Sequence, residues 1–217
     1  MRLPPMQLGF ANDIFAIVIL IMSVVLHEIA HGYAANTLGD PTAKLAGRLT
    51  LNPLKHIDPV GSVLIPAFLI LSQSNILFGW ARPVPYNPYN LKNQRFGEAI
   101  VAAAGPLTNL ALAVIFALVA RVTSGQGFQL FANLAALITF TNLFLGLFNL
   151  IPVPPMDGYT VIRGLLPYRF STVLRTFEER MRGGGVLSLL AILFVFTFFF
   201  AGPFYLLVQY LFGLLVG

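Results

Sequence analysis

The sequence predicts an all-α polytopic membrane protein, and three observations carry that expectation. Of its 217 residues, 57% are hydrophobic and only 10% are charged, whereas soluble domains carry about 25% charged residues. The apolar residues gather in five blocks, at about 12–31, 59–78, 99–122, 128–151 and 186–216, and the first, third and fourth have the roughly 20-residue length of a helical span. The 13 basic residues lie almost entirely between the blocks.

The first block is apolar almost without interruption from Ile14 to Leu26, and then reads His27-Glu28-Ile29-Ala30-His31-Gly32. Ionisable groups at membrane depth are costly and are functional suspects by default. Four residues apart on a helix, His27 and His31 share a face and can reach one metal ion. Glu28 lies between them, placed to act on a metal-bound water. A cleaved signal peptide is rejected, because a cut near Ala34-Ala35 would remove both histidines and the glutamate.

The second block is interrupted by Pro66 and by Ser72-Gln73-Ser74-Asn75. Arg2 precedes block one and Arg121 ends block three; the other basic residues fall in three connections. These hold Lys44, Arg48 and Lys55; then Arg82, Lys92 and Arg95; then Arg163, Arg169, Arg175, Arg180 and Arg182. The positive-inside rule wants all three on the cytoplasmic side. That requires block two to enter and leave by one face, as a re-entrant or broken segment, which is tolerated where it is buried in protein or lines a wet cavity. The expected architecture is therefore a three-helix core with this segment, followed by one or two C-terminal helices, since Gly202-Pro203 breaks the last block.

Two connections have character of their own. Pro83, Pro85 and Pro88 alternate with Val84, Tyr86 and Tyr89, which predicts an extended chain with room for a short β element. Between Tyr168 and Arg182, Phe170, Val173, Leu174, Phe177 and Met181 recur at helical spacing among arginines, as in an amphipathic helix lying in the membrane interface.

Cysteine is absent, so any metal must be held by His, Asp or Glu. The net charge of +5 is accounted for by the cytoplasmic connections, and nucleic acid is not an expected partner. Hydrolytic zinc usually takes three protein ligands and leaves one position open. His56 is one candidate for the third. Asp157 is another, because it follows a proline-stiffened unwinding of the fourth block, Asn149 to Gly158, and the topology returns it to the membrane face that carries His27 and His31.

Taken together, His27-Glu28-Ile29-Ala30-His31-Gly32, Gly105-Pro106-Leu107-Thr108-Asn109 and the Asn149-to-Gly158 stretch resemble the site-2 protease family of intramembrane zinc metalloproteases. The motifs occur in the family's order and spacing over about residues 12–165. The short chain, with no PDZ-like insertion between blocks two and three, resembles the compact prokaryotic members. The resemblance implies one protease domain over 1–217, with its catalytic core at about 12–165 and a C-terminal helical segment at about 186–216. It implies one Zn2+ held by His27, His31 and Asp157, with Glu28 as general base toward a zinc-activated water. Asn149 would donate a hydrogen bond to the oxyanion or to the substrate backbone, and His56 would stand behind the ligands or shape its loop. Localisation would be multi-pass in a prokaryotic cell membrane, with the active site toward the cytoplasm.

The substrate so implied is a transmembrane helix of another protein, taken from the lipid bilayer. Its peptide bonds are shielded until it unwinds, and an unwound stretch could add as a strand along Val84 and Tyr86. Asn109 is either a substrate contact or a buried amide bonded to neighbouring helices. Two rivals are weaker: a non-catalytic client-binding relative would be expected to lose Glu28 or a ligand, and a transporter would spread its polar groups along several spans.

Overall fold

The computed structural model describes residues 9–65, 68, 71 and 80–217. Helix α1 covers Gly9–Thr37, α2 Gly97–Ser124, α3 Gln129–Asn149, α4 Asp157–Leu165 and α5 Tyr168–Gly183. Helix α6 (Gly185–Val195) runs through a π-helical stretch, Phe196–Phe200, into α7 (Ala201–Val216). Among the described residues, four helical stretches are long and apolar enough to cross a membrane: Ile14–Thr37, Gly97–Ser124, Gln129–Asn149 and Leu190–Val216. Their exposed side chains include Ile17, Val18, Ile115, Leu118, Phe198 and Leu206, an apolar surface suited to lipid and not to water.

Helices α1, α2 and α3 form the three-helix core. At one end, Ala35 of α1, Leu91 of the connection and Val101 of α2 make a buried cluster. The C-terminus of α1 and the N-terminus of α2 therefore meet there. The short connection after Ser124 makes α3 antiparallel to α2, which brings Asn149 and the chain beyond it back to that same end.

The last block forms a single broken helix and not a hairpin. Pro203, which has no N–H to donate, lies just past the π-helical stretch Phe196–Phe200, where the helical ladder is already altered. Val208 packs on Ala113 and Leu143, while Phe204 and Phe212 meet the rings of Phe144 and Phe140 at 5.3 and 5.6 Å. At the far end, Arg121 donates to the carbonyl of Leu214.

Asp58 caps the π-helical turn Pro59–Leu64 that opens the second block. Trp80 N donates to Gly61 O at 3.1 Å, and Ser62 Oγ donates to Trp80 O at 2.8 Å. The chain thus returns beside the point where it left, at the end of the bundle shared by α1 and α2. Pro66 and Ser72-Gln73-Ser74-Asn75 lie outside the described residues.

Among the described residues there is no strand. In place of the expected short β element, residues 80–87 are an extended segment, followed by a 3-10 turn at Pro88–Asn90. Its donors at Arg82 and Val84 are both engaged, to His56 O at 2.8 Å and to Glu28 Oε2 at 2.8 Å. Pro83 and Pro85 have none to offer, so no ladder can continue along it. Asp40, fully buried after the end of α1, anchors the far end of the segment by accepting from Asn87 N at 2.7 Å and Asn90 Nδ2 at 2.8 Å.

Candidate metal centre

Three side chains converge where α1, α2 and α4 meet. His27 Nε2 and His31 Nε2 lie 3.0 Å apart, and Asp157 Oδ2 is 3.0 Å from the first and 3.4 Å from the second. They form a group able to hold a metal ion. Each imidazole is oriented through its other nitrogen. His27 Nδ1 is 2.6 Å from Asn109 Oδ1, and His31 Nδ1 is 2.7 Å from the carbonyl of Val101. Both partners are oxygen acceptors, so both Nδ1 atoms carry the proton and both Nε2 atoms present lone pairs.

The orientation of Asn109 follows from its neighbours. Its Nδ2 donates to Asn142 Oδ1 at 2.8 Å and to Ser23 O at 3.3 Å. A backbone carbonyl can only accept, so the amide nitrogen faces Ser23 and the oxygen faces His27. Asn142 in turn donates to Ser23 Oγ at 3.0 Å. Ser23, Asn109 and Asn142 are all buried, one from each core helix, and the network locks the three helices around His27.

Close approach makes the convergence possible. A methyl group at Gly105 would collide with the rings of both His31 and His27, so only glycine lets α2 pass this near the histidines. Pro106, inside the same helix, withdraws a donor from the turn that carries Val101 and Ala102. Asp157 is presented by the first turn of α4. A side chain at Gly158 would strike the carbonyls of Leu150 and Ile151, so glycine lets α4 fold back against the unwound end of α3.

Buried charges hold α4 in place. Arg163 pairs with Glu98 of α2 and, at 2.5 Å, with Glu178 of α5, while Arg175 reaches Glu98 at 3.3 Å. Tyr159 OH donates to Leu174 O of α5 at 2.8 Å. The helix that begins at Asp157 is thereby pinned to both its neighbours.

The remaining sequence candidates fall around this cluster. Glu28 is half-buried and its Oε2 accepts from Val84 N, a link between α1 and the extended segment. Val84 is buried, and Tyr86 packs against the Ala35, Leu91 and Val101 cluster. Among the described residues no hydrogen bond joins Asn149 to the histidines; its Nδ2 donates to Leu145 O, one turn back in α3. His56 is buried away from the cluster, with Nε2 3.0 Å from Thr50 O and its own carbonyl holding Arg82. Asn109 touches His27 and lies wholly inside the protein. Sequence reasoning missed Ser23, Asn142, Asp40 and the Arg163 network. Asn142, an amide inside an apolar span, carried the signal that intramembrane polar groups always carry.

Three lone pairs aimed at one point repel one another unless a cation lies between them. Two nitrogens and one carboxylate oxygen suit Zn2+, and the edge of a tetrahedral zinc site is roughly 3.3 Å, close to the spacings found here. The comparisons with known proteins agree. The family model of peptidase family M50 matches residues 15–135 and 124–195.

The chain belongs to peptidase family M50, the site-2 protease family. It is 41% identical over 160 residues to YwhC of Bacillus subtilis, covering 70% of this chain and 69% of that protein. It is 33% identical over 139 residues to Rip2 of Mycolicibacterium smegmatis, covering 64% of this chain and 52% of that one. Zinc metalloprotease MJ0392 of Methanocaldococcus jannaschii is 27% identical over 188 residues, 84% of this chain and 44% of its own length. The chain thus spans about half the length of the second and third of these relatives. No solved structure matches it. By family it is a multi-pass membrane zinc metalloprotease.

Proposed function

We propose that this M50 member hydrolyses peptide bonds within or near transmembrane helices of substrate proteins, at the end of its spans that faces the cytoplasm of a prokaryotic cell. The observation that carries this reading is the convergence of His27 Nε2, His31 Nε2 and Asp157 Oδ2 at 3.0–3.4 Å. The histidines come from a helix long and apolar enough to span a membrane and Asp157 from the first turn of α4, Glu28 being next to His27 in the chain. Bound zinc would supply a Lewis acid that polarises the scissile carbonyl and brings the pKa of water to about 7.

The protein's own groups then have distinct tasks. Glu28 takes the proton of the attacking water and later gives it to the leaving amine. The Val84 N–H donates to Glu28 Oε2, which tethers the carboxylate to the extended segment and leaves Oε1 outside that bond to take the proton. Asn109 keeps His27 in the tautomer that offers Nε2 to the metal, and it does so from a buried position. Asn149 supports the oxyanion or the substrate backbone by turning its amide away from Leu145 O when substrate enters.

A substrate strand laid along residues 82–86 would meet a segment whose Arg82 and Val84 donors are engaged and whose Pro83 and Pro85 have none. Its docking would therefore rest on carbonyl acceptors and on side-chain contacts. The test is to incubate purified protein with a doubly labelled single-span helix and map the products by mass spectrometry. Cleavage inside the span, lost with a zinc chelator and restored by Zn2+, supports the reading. Cuts confined to soluble flanks far from the span would refute it.

A further inference from the structure

A second feature shares no lining residue with the metal cluster. A pocket of about 280 Å³ is lined by Ala46, Arg48, Leu54, Lys55, Arg82 and Pro85. Three of these six residues are cations and none is an acid. Arg48 is only 7% exposed; one of its terminal nitrogens donates to the carbonyls of Arg82 at 2.7 Å and Pro83 at 3.3 Å, and its Nε has no hydrogen-bond partner. Burial, and then the charge of Arg82, both work against its protonation, while the charge of Glu28 works for it. Among the described residues no ion pair neutralises Arg48, Lys55 or Arg82, and Glu28 acts on Arg48 only through its charge.

The neighbouring chain points to the kind of counter-ion. Leu54, in the pocket wall, is 73% exposed, and Leu45 and Leu51 are also largely exposed. Large apolar side chains around a cationic pocket, on a protein embedded in lipid, match the two ends of an anionic phospholipid. We propose that this pocket is a headgroup site for such a lipid, its phosphate held by Arg48, Lys55 and Arg82 and its acyl chains against Leu45, Leu51 and Leu54.

The site has a consequence that rests on the proteolytic reading above. Arg48 grips the carbonyls of residues 82 and 83, and the next residue, Val84, donates to Glu28. A phosphate between Arg48 and Arg82 would relieve their mutual repulsion and firm the backbone that holds the base.

The full chain is reconstituted in nanodiscs of phosphatidylcholine, with or without a minority of phosphatidylglycerol, and retained lipid is read by native mass spectrometry after extraction. Wild type should retain phosphatidylglycerol, and Lys55→Ala with Arg82→Ala should retain about thirtyfold less, as expected for two cations lost near a lipid surface. Zinc content should not change. If the double variant loses zinc, Lys55→Glu, on an exposed side chain, makes the same comparison. Equal retention by variant and wild type overturns the proposal. So does displacement of the lipid by millimolar inorganic phosphate, which would assign the pocket to a soluble anion. Wild type should also cleave faster in discs with phosphatidylglycerol, whereas the variant should not respond. Absence of cleavage in every disc, with lipid retention as expected, would count against the proteolytic reading alone.

Discussion

His27 Nδ1 lies 2.6 Å from Asn109 Oδ1, and the amide that makes this bond is itself held by Asn142 and by the carbonyl of Ser23. One residue from each core helix thus determines which nitrogen of His27 faces the metal. Partners behind a metal ligand are typically worth about 10–100-fold in metal affinity. Asn109→Leu and Asn142→Leu should weaken zinc binding by about that range, measured by competition with a chromogenic chelator. Asn109→Asp, which keeps an acceptor for Nδ1–H, should lose much less. Equal losses in all three would mean that the network supports only the packing of the helices.

Gly105 should tolerate no side chain. In Gly105→Ala the new methyl would meet the His31 and His27 rings, so α2 or the rings must shift. Overpacking of this kind costs about 1–3 kcal/mol. The expected result is zinc affinity lowered well below wild type with helix content unchanged by circular dichroism.

Arg163 is buried between two carboxylates, Glu98 and Glu178. Removing one partner from a buried ion pair costs about 3–5 kcal/mol. Arg163→Met should therefore lower the thermal midpoint and loosen α4, with faster hydrogen exchange over residues 157–165. If exchange there is unchanged, another contact holds Asp157 in place.

Asp40 makes the connection around α1 and the extended segment sensitive to acid. Burial alone would raise its carboxyl, but the hydrogen bonds from Thr42, Asn90 and the Asn87 amide outweigh burial and hold it below the ordinary carboxylate range. A carboxyl depressed in the folded state stabilises above its unfolded pKa of about 3.9 and loses that contribution as pH falls through the folded value. Wild type should lose stability below about pH 4 faster than Asp40→Asn. At neutral pH the variant should be less stable by about 1.5–3 kcal/mol, the range for hydrogen bonds to a charged group.

Much of this arrangement was legible in the sequence, for identifiable reasons. His27, His31 and Asp157 announce themselves because ionisable groups at span ends are expensive, and the basic residues placed all three at one end. The same charges lead to the expectation that block two enters and leaves by one face, and its described ends meet at the Gly61–Trp80 bond. The contacts that position these groups left weaker traces. Arg48 and Val84 act through backbone carbonyls and an N–H, which no side-chain pattern encodes. Asp40, between Gly39 and Pro41, reads as an ordinary turn residue until the chain from Asn87 to Asn90 folds over it. The alternating prolines at 83 and 85 signalled extension correctly, but the same prolines remove the donors that a strand needs.

The proposed mechanism has Glu28, held by the Val84 amide, move the proton in hydrolysis beside the His27, His31 and Asp157 group that could hold a metal. It is tested most directly by cleavage of a labelled single-span helix by Glu28→Gln, with zinc counted in the same preparation. The expected result is one zinc per chain with cleavage reduced by at least about a hundredfold, in line with general acid–base contributions. Undiminished cleavage by the zinc-loaded variant would contradict it.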